Sequence, residues 1–326
     1  MGSKILKDIY RQHPSFKQLE QLLASGSNEP VNIIGLTGSS KAIVMAGALS
    51  DMPTTHLVIL PEKEDAAYFY NDLISMLGED NIFFFPSTYK RSVMYEQTEP
   101  ANIVLRTEVL NYLGSGHRKC IIVTYPESLM EKVISKTSLK KNTLLVKKGD
   151  KLSIEFLEEV LREYNFKRTD FVYEPGQYSV RGSITDLFSY SSDMPYRIDF
   201  FGEEVDSIRT FNPDDQLSVA LLNEIQVIPD IHDITLQEIN DTFLDFIAPS
   251  SVIWSENFSY IVEKTDNIYL QTRSRGEKGE ITDRRDIIIT GKRMEDLCYR
   301  HRMIEFGRGK KENVATVTFR TEPQPA

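Results

Sequence analysis

Residues 166–218 read FKRTDFVYEPGQYSVRGSITDLFSYSSDMPYRIDFFGEEVDSIRTFNPDDQLS, and this stretch decides how the chain is organised. Polar and apolar residues alternate along it in short segments such as QYSVRG and YRIDFFG, and turn-forming residues, among them Pro175-Gly176 and Gly202, separate the segments. Since the side chains of a strand point alternately to its two faces, the pattern predicts four or five antiparallel strands with one buried face. An amphipathic helix is predicted just before them. We therefore predict an antiparallel α+β domain over residues 146–234.

On both sides of this domain, strands and helices alternate instead. The first such pair is a predicted strand over 31–36 followed by a helix over 40–49. Apolar runs such as HLVIL and CIIV show no alternation, which is typical of strands buried on both faces of a parallel sheet. The alternation predicts a wound α/β domain made of residues 1–145 and 235–326, interrupted by the inserted domain. Within the second part, the pattern predicts a helix over 291–306 and a flexible loop over 274–285.

Composition limits the classes of function. The 326 residues carry a net charge of −10, whereas nucleic-acid binders concentrate positive charge, so a protein partner fits better than free DNA. No apolar run approaches the roughly 18–20 residues needed to span a bilayer. Cys120 and Cys298 have no CxxC spacing, which indicates reduced thiols in a cytoplasmic protein. The five histidines form no pair at metal-ligand spacing, so we predict no metal site.

The turn after the first strand reads GLTGSSKA, in the context of the phosphate-binding P-loop pattern GxxxxGK[ST]. Ser40 stands at the second glycine of that pattern, and Ala42 stands at the hydroxyl that holds Mg²⁺. Of the final Gly-Lys-Ser/Thr of the pattern, Lys41 alone is kept, and Gly35 and Gly38 are the glycines of the degenerate turn. Loss of the hydroxyl removes a metal ligand on which metal-bridged phosphoryl transfer depends.

P-loop enzymes have a second characteristic element, which is acidic, follows another buried strand and holds the metal. The best candidate is SSVIWSENF, in which Ser255 stands at the position of the metal-binding aspartate and Glu256 resembles the rest of the acidic pair. Together the two elements indicate a P-loop, helicase-like sheet whose nucleotide site is degenerate. The alternative is a chance glycine turn without nucleotide ancestry. We predict that the chain given by this sequence binds no ATP or other cofactor and is not an enzyme.

The inserted domain also carries a long motif. It consists of Arg168, Asp170, Gly176, Tyr178, Arg181, Gly182, residues 186–188 and residues 198–205. The motif resembles the corresponding region of the excision-repair protein UvrB, and more closely that of the transcription-repair coupling factors (Mfd). Outside the domain, the segments TYPESLMEKV and TFRTEPQP also resemble the coupling factors.

In those relatives, the matching domain docks onto UvrA, the damage-recognition ATPase. The resemblance implies that this chain recruits UvrA and that Arg168 and Arg181 contact it, since a guanidinium binds carboxylates with two parallel hydrogen bonds. Ser179 stands at the position of a third contacting arginine in UvrB. The alternative for each arginine is an exposed sheet face, or a pair inside the domain with a carboxylate: Asp170, Glu174 or Asp186.

Two features favour the coupling factors over UvrB. UvrB keeps an intact P-loop, and it has a long tyrosine-rich hairpin, for which the segment 86–100 with Tyr89 and Tyr95 is too short. The resemblance therefore implies a module of a longer ATP-dependent translocase that acts on double-stranded DNA and displaces stalled RNA polymerase. ATP and Mg²⁺ are expected only in the motor domains of that parent protein.

Two other functions stay open. One is a nucleotide-dependent, UvrB-like helicase that binds damaged DNA, with Lys41 and Glu256 as catalytic remnants. The other is a DNA-binding accessory domain that uses basic residues: Lys90, Arg91, Arg106 and the loop 273–285.

Overall fold

The computed structural model describes residues 12–25, 27–49, 54–88, 99–231, 239–278 and 287–321. The helices are α1 Pro14–Ala24, α2 Ser40–Leu49, α3 Lys63–Leu77, α4 Pro100–Gly114, α5 Pro126–Met130, α6 Lys136–Lys141, α7 Ile154–Glu163, α8 Phe243–Phe246, α9 Phe258–Glu277 and α10 Gly291–Cys298. The strands are β1 Val31–Ile34, β2 Thr55–Ile59, β3 Ile82–Phe85, β4 Cys120–Thr124, β5 Val133–Ile134, β6 Leu144–Lys147, β7 Lys167–Arg168, β8 Gln177–Arg181, β9 Ile184–Leu187, β10 Tyr196–Phe201, β11 Glu204–Phe211, β12 Ser218–Leu222, β13 Glu224–Val227, β14 Ile239–Asp241, β15 Val252–Glu256, β16 Arg302–Phe306 and β17 Ala315–Thr318.

The chain divides into two compact units. The first contains residues 1–97, 116–133 and 241–326, and the second contains residues 98–115 and 134–240. These bounds differ from the three sequence-based segments, because α4 and residues 134–145 belong to the second unit. The reason is packing inside that unit: α4 lies against α6, and Asn111 on α4 donates a hydrogen bond to Gln226.

Within the described residues of the first unit, seven strands form a parallel sheet in the order β17-β1-β16-β15-β2-β4-β3. The predicted parallel sheet is therefore confirmed. Strands β2 and β4, which contain the runs HLVI and CIIV, are buried along their whole length. Helices α2 and α3 pack against the sheet through an apolar cluster that includes Val44, Phe69 and Trp254.

The second unit contains a sheet in the order β12-β11-β10-β9-β8-β7, six strands in the part of the chain that the structure describes. All neighbours are antiparallel except the short pair β7–β8. One face, which we call the inner face, packs with α7 around an apolar core that includes Leu157, Tyr178 and Ile198. The predicted antiparallel α+β unit is confirmed. The opposite face, which carries Asp186 and Arg197, is called the outer face below.

Two sequence-based predictions of local structure were wrong. The helix predicted over 291–306 ends at Cys298, and residues 302–306 form β16, because their position between β1 and β15 provides strand partners on both sides. Helix α9 continues to Glu277, so the first part of the predicted loop 274–285 is helical. The later part of that loop lies outside the described residues, as do Tyr89, Lys90, Arg91 and Tyr95.

Cys120 and Cys298 are both buried and free. Among the described residues, no cluster of three histidine, cysteine, aspartate or glutamate side chains is arranged to hold a metal ion. A search of the same residues for a helix that is both long enough and apolar enough to cross a membrane finds none.

Candidate functional site

The first candidate site is the turn between β1 and α2, at the carboxyl edge of the seven-stranded sheet. Gly35 has a φ of +82°, and a Cβ atom there would lie 1.9 Å from the carbonyl oxygen of Phe319. The carbonyl oxygen of Gly35 accepts hydrogen bonds from the Thr321 backbone N–H and from its hydroxyl, at 3.1 and 2.8 Å. The chain after β17 therefore lies directly against the turn, and Gly35 is required for that close approach.

The backbone donor at Thr37 is satisfied within the protein. Its N–H donates to Ser40 Oγ at 2.8 Å and to Thr321 Oγ1 at 3.1 Å. Ser40 Oγ in turn donates to the Thr37 carbonyl oxygen at 2.6 Å. In a phosphate-binding P-loop, backbone N–H groups of this turn would face the anion. Here, at the position of the second glycine of the P-loop pattern, Ser40 supplies a hydroxyl that takes up one of those donors.

Lys41 and Glu256 meet at the same edge of the sheet. The Lys41 ammonium lies 2.7 Å from the Glu256 carboxylate, and both side chains are largely buried. Ser255 is fully buried, and its hydroxyl has no hydrogen-bond partner in the part of the chain that is described. Ala42 is also fully buried in the apolar cluster beneath α2. The structure therefore brings the predicted residues of the two elements together, and it pairs the charged ones with each other.

The second candidate site lies on the outer face of the six-stranded sheet. Asp186 on β9 is fully buried there and is bound by two arginines. Arg197 donates to its two oxygens at 2.7 and 2.9 Å, and Arg181 pairs with the same carboxylate. The hydrogen bonds to Asp186 raise the pKa of Arg197 above its usual value. The carboxylate thus orients two guanidinium groups side by side.

Arg181 keeps an accessible guanidinium despite these contacts. Its side chain is 39% exposed, although it also donates to the Asp170 carbonyl oxygen at 2.8 Å and lies over the Phe171 ring. The intradomain pair with Asp186 that the sequence left open therefore exists, and it coexists with a surface position. An ion pair of this kind pre-orients the guanidinium for a second carboxylate.

Arg168 lies on the other side of the sheet. It is opposite Tyr178 in the β7–β8 register, and Tyr178 belongs to the core of the inner face. Its guanidinium donates to Glu158 on α7 at 2.9 Å, a carboxylate that was not among the expected partners. Burial and the neighbouring Glu158 raise the pKa of Tyr178. The two arginines predicted to contact one partner therefore belong to opposite faces of the sheet.

Sequence reasoning missed two residues of the outer face as candidate contacts. Arg197 stands beside Arg181 on Asp186, and Phe201 ends the same strand with 84% of its surface exposed. Strand β10 alternates strictly in burial, so Arg197 and Phe201 share the outer face, whereas Phe200 is buried in the core. The period-two pattern of YRIDFF contained this signal.

The structure describes only some of the basic residues proposed for DNA binding. Arg106 is buried within α4, and Arg273 pairs with Glu277 on α9 at 2.9 Å. Arg275 and Lys278 lie at the end of α9, whereas Lys90, Arg91 and residues 279–285 lie outside the described residues.

Comparison with known proteins finds similarity to the second unit. Residues 144–232 match the UvrB interaction domain. The chain is 28% identical over 225 residues to the transcription-repair-coupling factor of Bacillus subtilis, which covers 69% of this chain and 19% of that protein. The corresponding protein of Escherichia coli is 29% identical over 196 residues, covering 60% and 17%.

UvrABC system protein B of Thermotoga neapolitana is 23% identical over 217 residues, which is 63% of this chain and 33% of that protein. The chain spans about a fifth of the length of the coupling factors that it matches. The matched interaction domain contains the whole six-stranded sheet and its outer face. Residues 144–232 are therefore similar to the UvrB interaction domain, and the chain is similar to the transcription-repair coupling factors and, at lower identity, to UvrABC system protein B.

Proposed function

We propose that this chain is a non-catalytic docking module of transcription-coupled nucleotide excision repair that recruits UvrA through its UvrB interaction domain. The contact surface is the outer face of the six-stranded sheet. Arg181 supplies charge-assisted hydrogen bonds to carboxylates of the partner, Arg197 helps to position it through their shared carboxylate Asp186, and Phe201 supplies an apolar anchor. Arginine and aromatic side chains are the residue types that dominate binding energy at protein interfaces.

One observation carries the proposal. Asp186 is fully buried and binds both Arg197, whose side chain is only 16% exposed, and Arg181, whose side chain is 39% exposed at the surface of this sheet face. The buried pair of Asp186 and Arg197 thus fixes the position of Arg181 before the partner arrives, which lowers the entropic cost of binding. Phe201 extends the same face with an exposed aromatic ring. This combination is suited to an acidic protein surface.

The test is the affinity of purified UvrA for the whole chain. We expect Arg181→Glu to lower the affinity at least tenfold, because a carboxylate on this face repels the acidic groups that the arginine would bind. The matched control is Arg293→Glu, an exposed arginine on α10 of the other unit, and it should change the affinity less than twofold. Arg168→Glu, on the inner face, should have a smaller effect than Arg181→Glu. Unchanged affinity in Arg181→Glu with intact folding contradicts the proposal.

The non-catalytic part of the proposal concerns the helicase-like turn at residues 35–42. It is supported by the Lys41–Glu256 pair, by the internal bonds of Thr37 and by the alanine at position 42. We expect calorimetric titration with MgATP to detect no binding to the chain. Binding in the micromolar range contradicts this part of the proposal and leaves the docking part intact.

The longer protein is a further part of the proposal. We infer that the module serves an ATP-dependent translocase that acts on double-stranded DNA and displaces stalled RNA polymerase. Its support is the similarity to coupling factors that are about five times as long as the matched region. The chain alone should then fail to release a stalled polymerase from DNA in the presence of ATP. Release by the chain alone contradicts this inference.

A nucleotide-dependent, UvrB-like helicase is the second candidate. The observation in its favour is that Lys41 and Glu256 stand 2.7 Å apart at the carboxyl edge of a parallel sheet, where nucleotides bind in such folds. Measured ATP turnover that Lys41→Met abolishes would establish this function in place of the non-catalytic one.

A further inference from the structure

A continuous row of side chains crosses the outer face from Asp186, which binds the proposed docking residue Arg181, to the opposite edge of the sheet. The strand registers pair Asp186 with Arg197, Arg197 with Arg209, and Arg209 with Leu221. Residues paired in this way project from the same face of a sheet. Leu221 on the edge strand β12 therefore belongs to the same surface as Arg197, two strands away.

The β12 end of this row is apolar and exposed. Leu221 is 78% exposed, and Val219 on the same strand is 63% exposed. The surrounding segment QLSVALLN, residues 216–223, contains no charged residue, although 26% of the chain is charged. Exposed apolar groups that lie together on a polar protein mark an interaction surface. Leu222, the next residue, packs against the core of the inner face instead.

The edge of β12 is a poor site for pairing with another strand. Its register with β11 shifts next to Phe211, where Val219 is an extra residue between the paired residues Ser218 and Ala220. A bulge of this kind twists an edge strand and is a known protection against edge-to-edge association. The exposed side chains, rather than the backbone of the edge, are therefore the available binding element.

The charged residues between the two ends point to the same partner. Asp199 is bound by Arg209 and by the Ser207 hydroxyl, and Asp186 is bound by Arg181 and Arg197. Three arginines face these two aspartates, so the central rows carry an excess of positive charge, and Arg181 and Arg209 are the more exposed of the three arginines, at 39% and 32%. A surface that is complementary to it carries carboxylates beside an apolar area, and both lie within one continuous contact.

We propose that the UvrA contact extends across β11 to β12, where Val219 and Leu221 are buried against an apolar area of UvrA next to its acidic groups. This inference rests on the proposed docking function. Apolar burial at the end of a charged contact lowers the dissociation rate and excludes water from the arginine–carboxylate pairs. A second copy of the chain and a nucleic acid are the other occupants that the experiment distinguishes.

The experiment compares UvrA affinity of the whole chain with that of the double variant Val219→Ser/Leu221→Ser. We expect at least a tenfold loss, mainly through faster dissociation, and a less negative heat-capacity change of binding. This loss should be the same at low and high salt, whereas the loss caused by Arg181→Glu should change with salt. Leu145→Ser, at an exposed leucine on β6 of the same unit, is the matched control and should change the affinity less than twofold.

The possible failures are distinguishable. If Arg181→Glu weakens binding and the double serine variant does not, the β12 contact is overturned and the docking function stands. If the chain does not bind UvrA at all, both proposals fail. If sedimentation shows a dimer that the double variant abolishes while UvrA affinity is unchanged, a second copy occupies β12. If the double variant weakens duplex DNA binding instead, the surface binds nucleic acid; each of these last two results overturns the proposal.

Discussion

The ammonium group of Lys41 and the carboxylate of Glu256 lie 2.7 Å apart, on a helix and a strand that are separated by more than two hundred residues of sequence. In a P-loop enzyme, a lysine at this position would face the phosphates of the nucleotide. Here its charge is neutralised by the protein itself, and a hydroxyl of Ser40 fills part of the turn. At this edge of the sheet, the two charged groups and the Thr37 N–H are therefore bound within the protein.

Removal of the Glu256 charge should not restore nucleotide binding. We expect Glu256→Gln to bind no MgATP in calorimetric titration, because Thr37 N–H stays bonded to Ser40 and Thr321 and Ala42 offers no ligand to Mg²⁺. The unfolding free energy should fall by less than about 1 kcal/mol, since the ion pair is partly exposed. Lys292→Met, which removes an exposed lysine paired with Glu295, serves as the control for loss of an ion pair. Tight MgATP binding by Glu256→Gln would show that the ion pair alone closes the site.

Gly35 and Gly38 have different surroundings in the turn, so substitution by alanine should lower the unfolding free energy by different amounts. Both have positive φ, for which alanine costs roughly 1–2 kcal/mol. A Cβ at Gly38 meets nothing within 4 Å, whereas a Cβ at Gly35 would lie 1.9 Å from the Phe319 carbonyl oxygen. We expect Gly35→Ala to lower the unfolding free energy by at least about 2 kcal/mol more than Gly38→Ala does, measured by urea denaturation. Equal losses would mean that the chain after β17 does not contact the turn in solution.

Asp186 should matter more to folding than the other aspartate of the outer face. Asp186→Asn leaves two guanidinium groups without their buried counter-charge, and we expect a loss of about 3 kcal/mol in unfolding free energy. Asp199→Asn, at a partly exposed carboxylate paired with Arg209, should cost only about 1 kcal/mol. Thermal and urea denaturation of both variants check this order, and the reverse order is incompatible with a buried Asp186.

His56 should make the stability of the first unit dependent on pH. Burial lowers its pKa from 6.5 to about 3, and its Nδ1 accepts a hydrogen bond from Trp254 Nε1 at 3.1 Å. Between these two values the unfolded chain binds a proton that the folded chain does not, so stability is complete above pH 6.5 and falls as the pH is lowered towards 3.

The contribution of His56 to that slope is at most about 1.4 kcal/mol per pH unit. His56→Asn keeps an acceptor for Trp254 but does not titrate, so its unfolding free energy should fall less steeply between pH 6.5 and 4. Burial also lowers the pKa of His301, so His301 accounts for part of the pH dependence that His56→Asn retains. Identical slopes in the two proteins would contradict a neutral, buried His56.

Strand and helix patterns in the sequence predicted the parallel sheet and the inserted antiparallel sheet correctly. These features are local: unbroken runs such as CIIV require burial on both faces, and strict alternation requires burial on one. The bounds of the two units depended on contacts that are remote in sequence. Helix α4 joins the second unit through Gln226, more than a hundred residues away, and no local pattern of α4 indicates this.

The same distinction holds for the candidate sites. The sequence by itself contained a turn that resembles an altered P-loop, which is recognisable from residue types at fixed spacing, and its resemblance to a family motif singled out Arg181. Only the tertiary structure decided that Lys41 is paired with Glu256, that Arg168 and Arg181 lie on opposite faces, and that Arg197 and Phe201 lie on the face of Arg181. Spacing along a chain gives the identity and the periodicity of residues, whereas strand register and packing determine which faces they share and which charges neutralise each other.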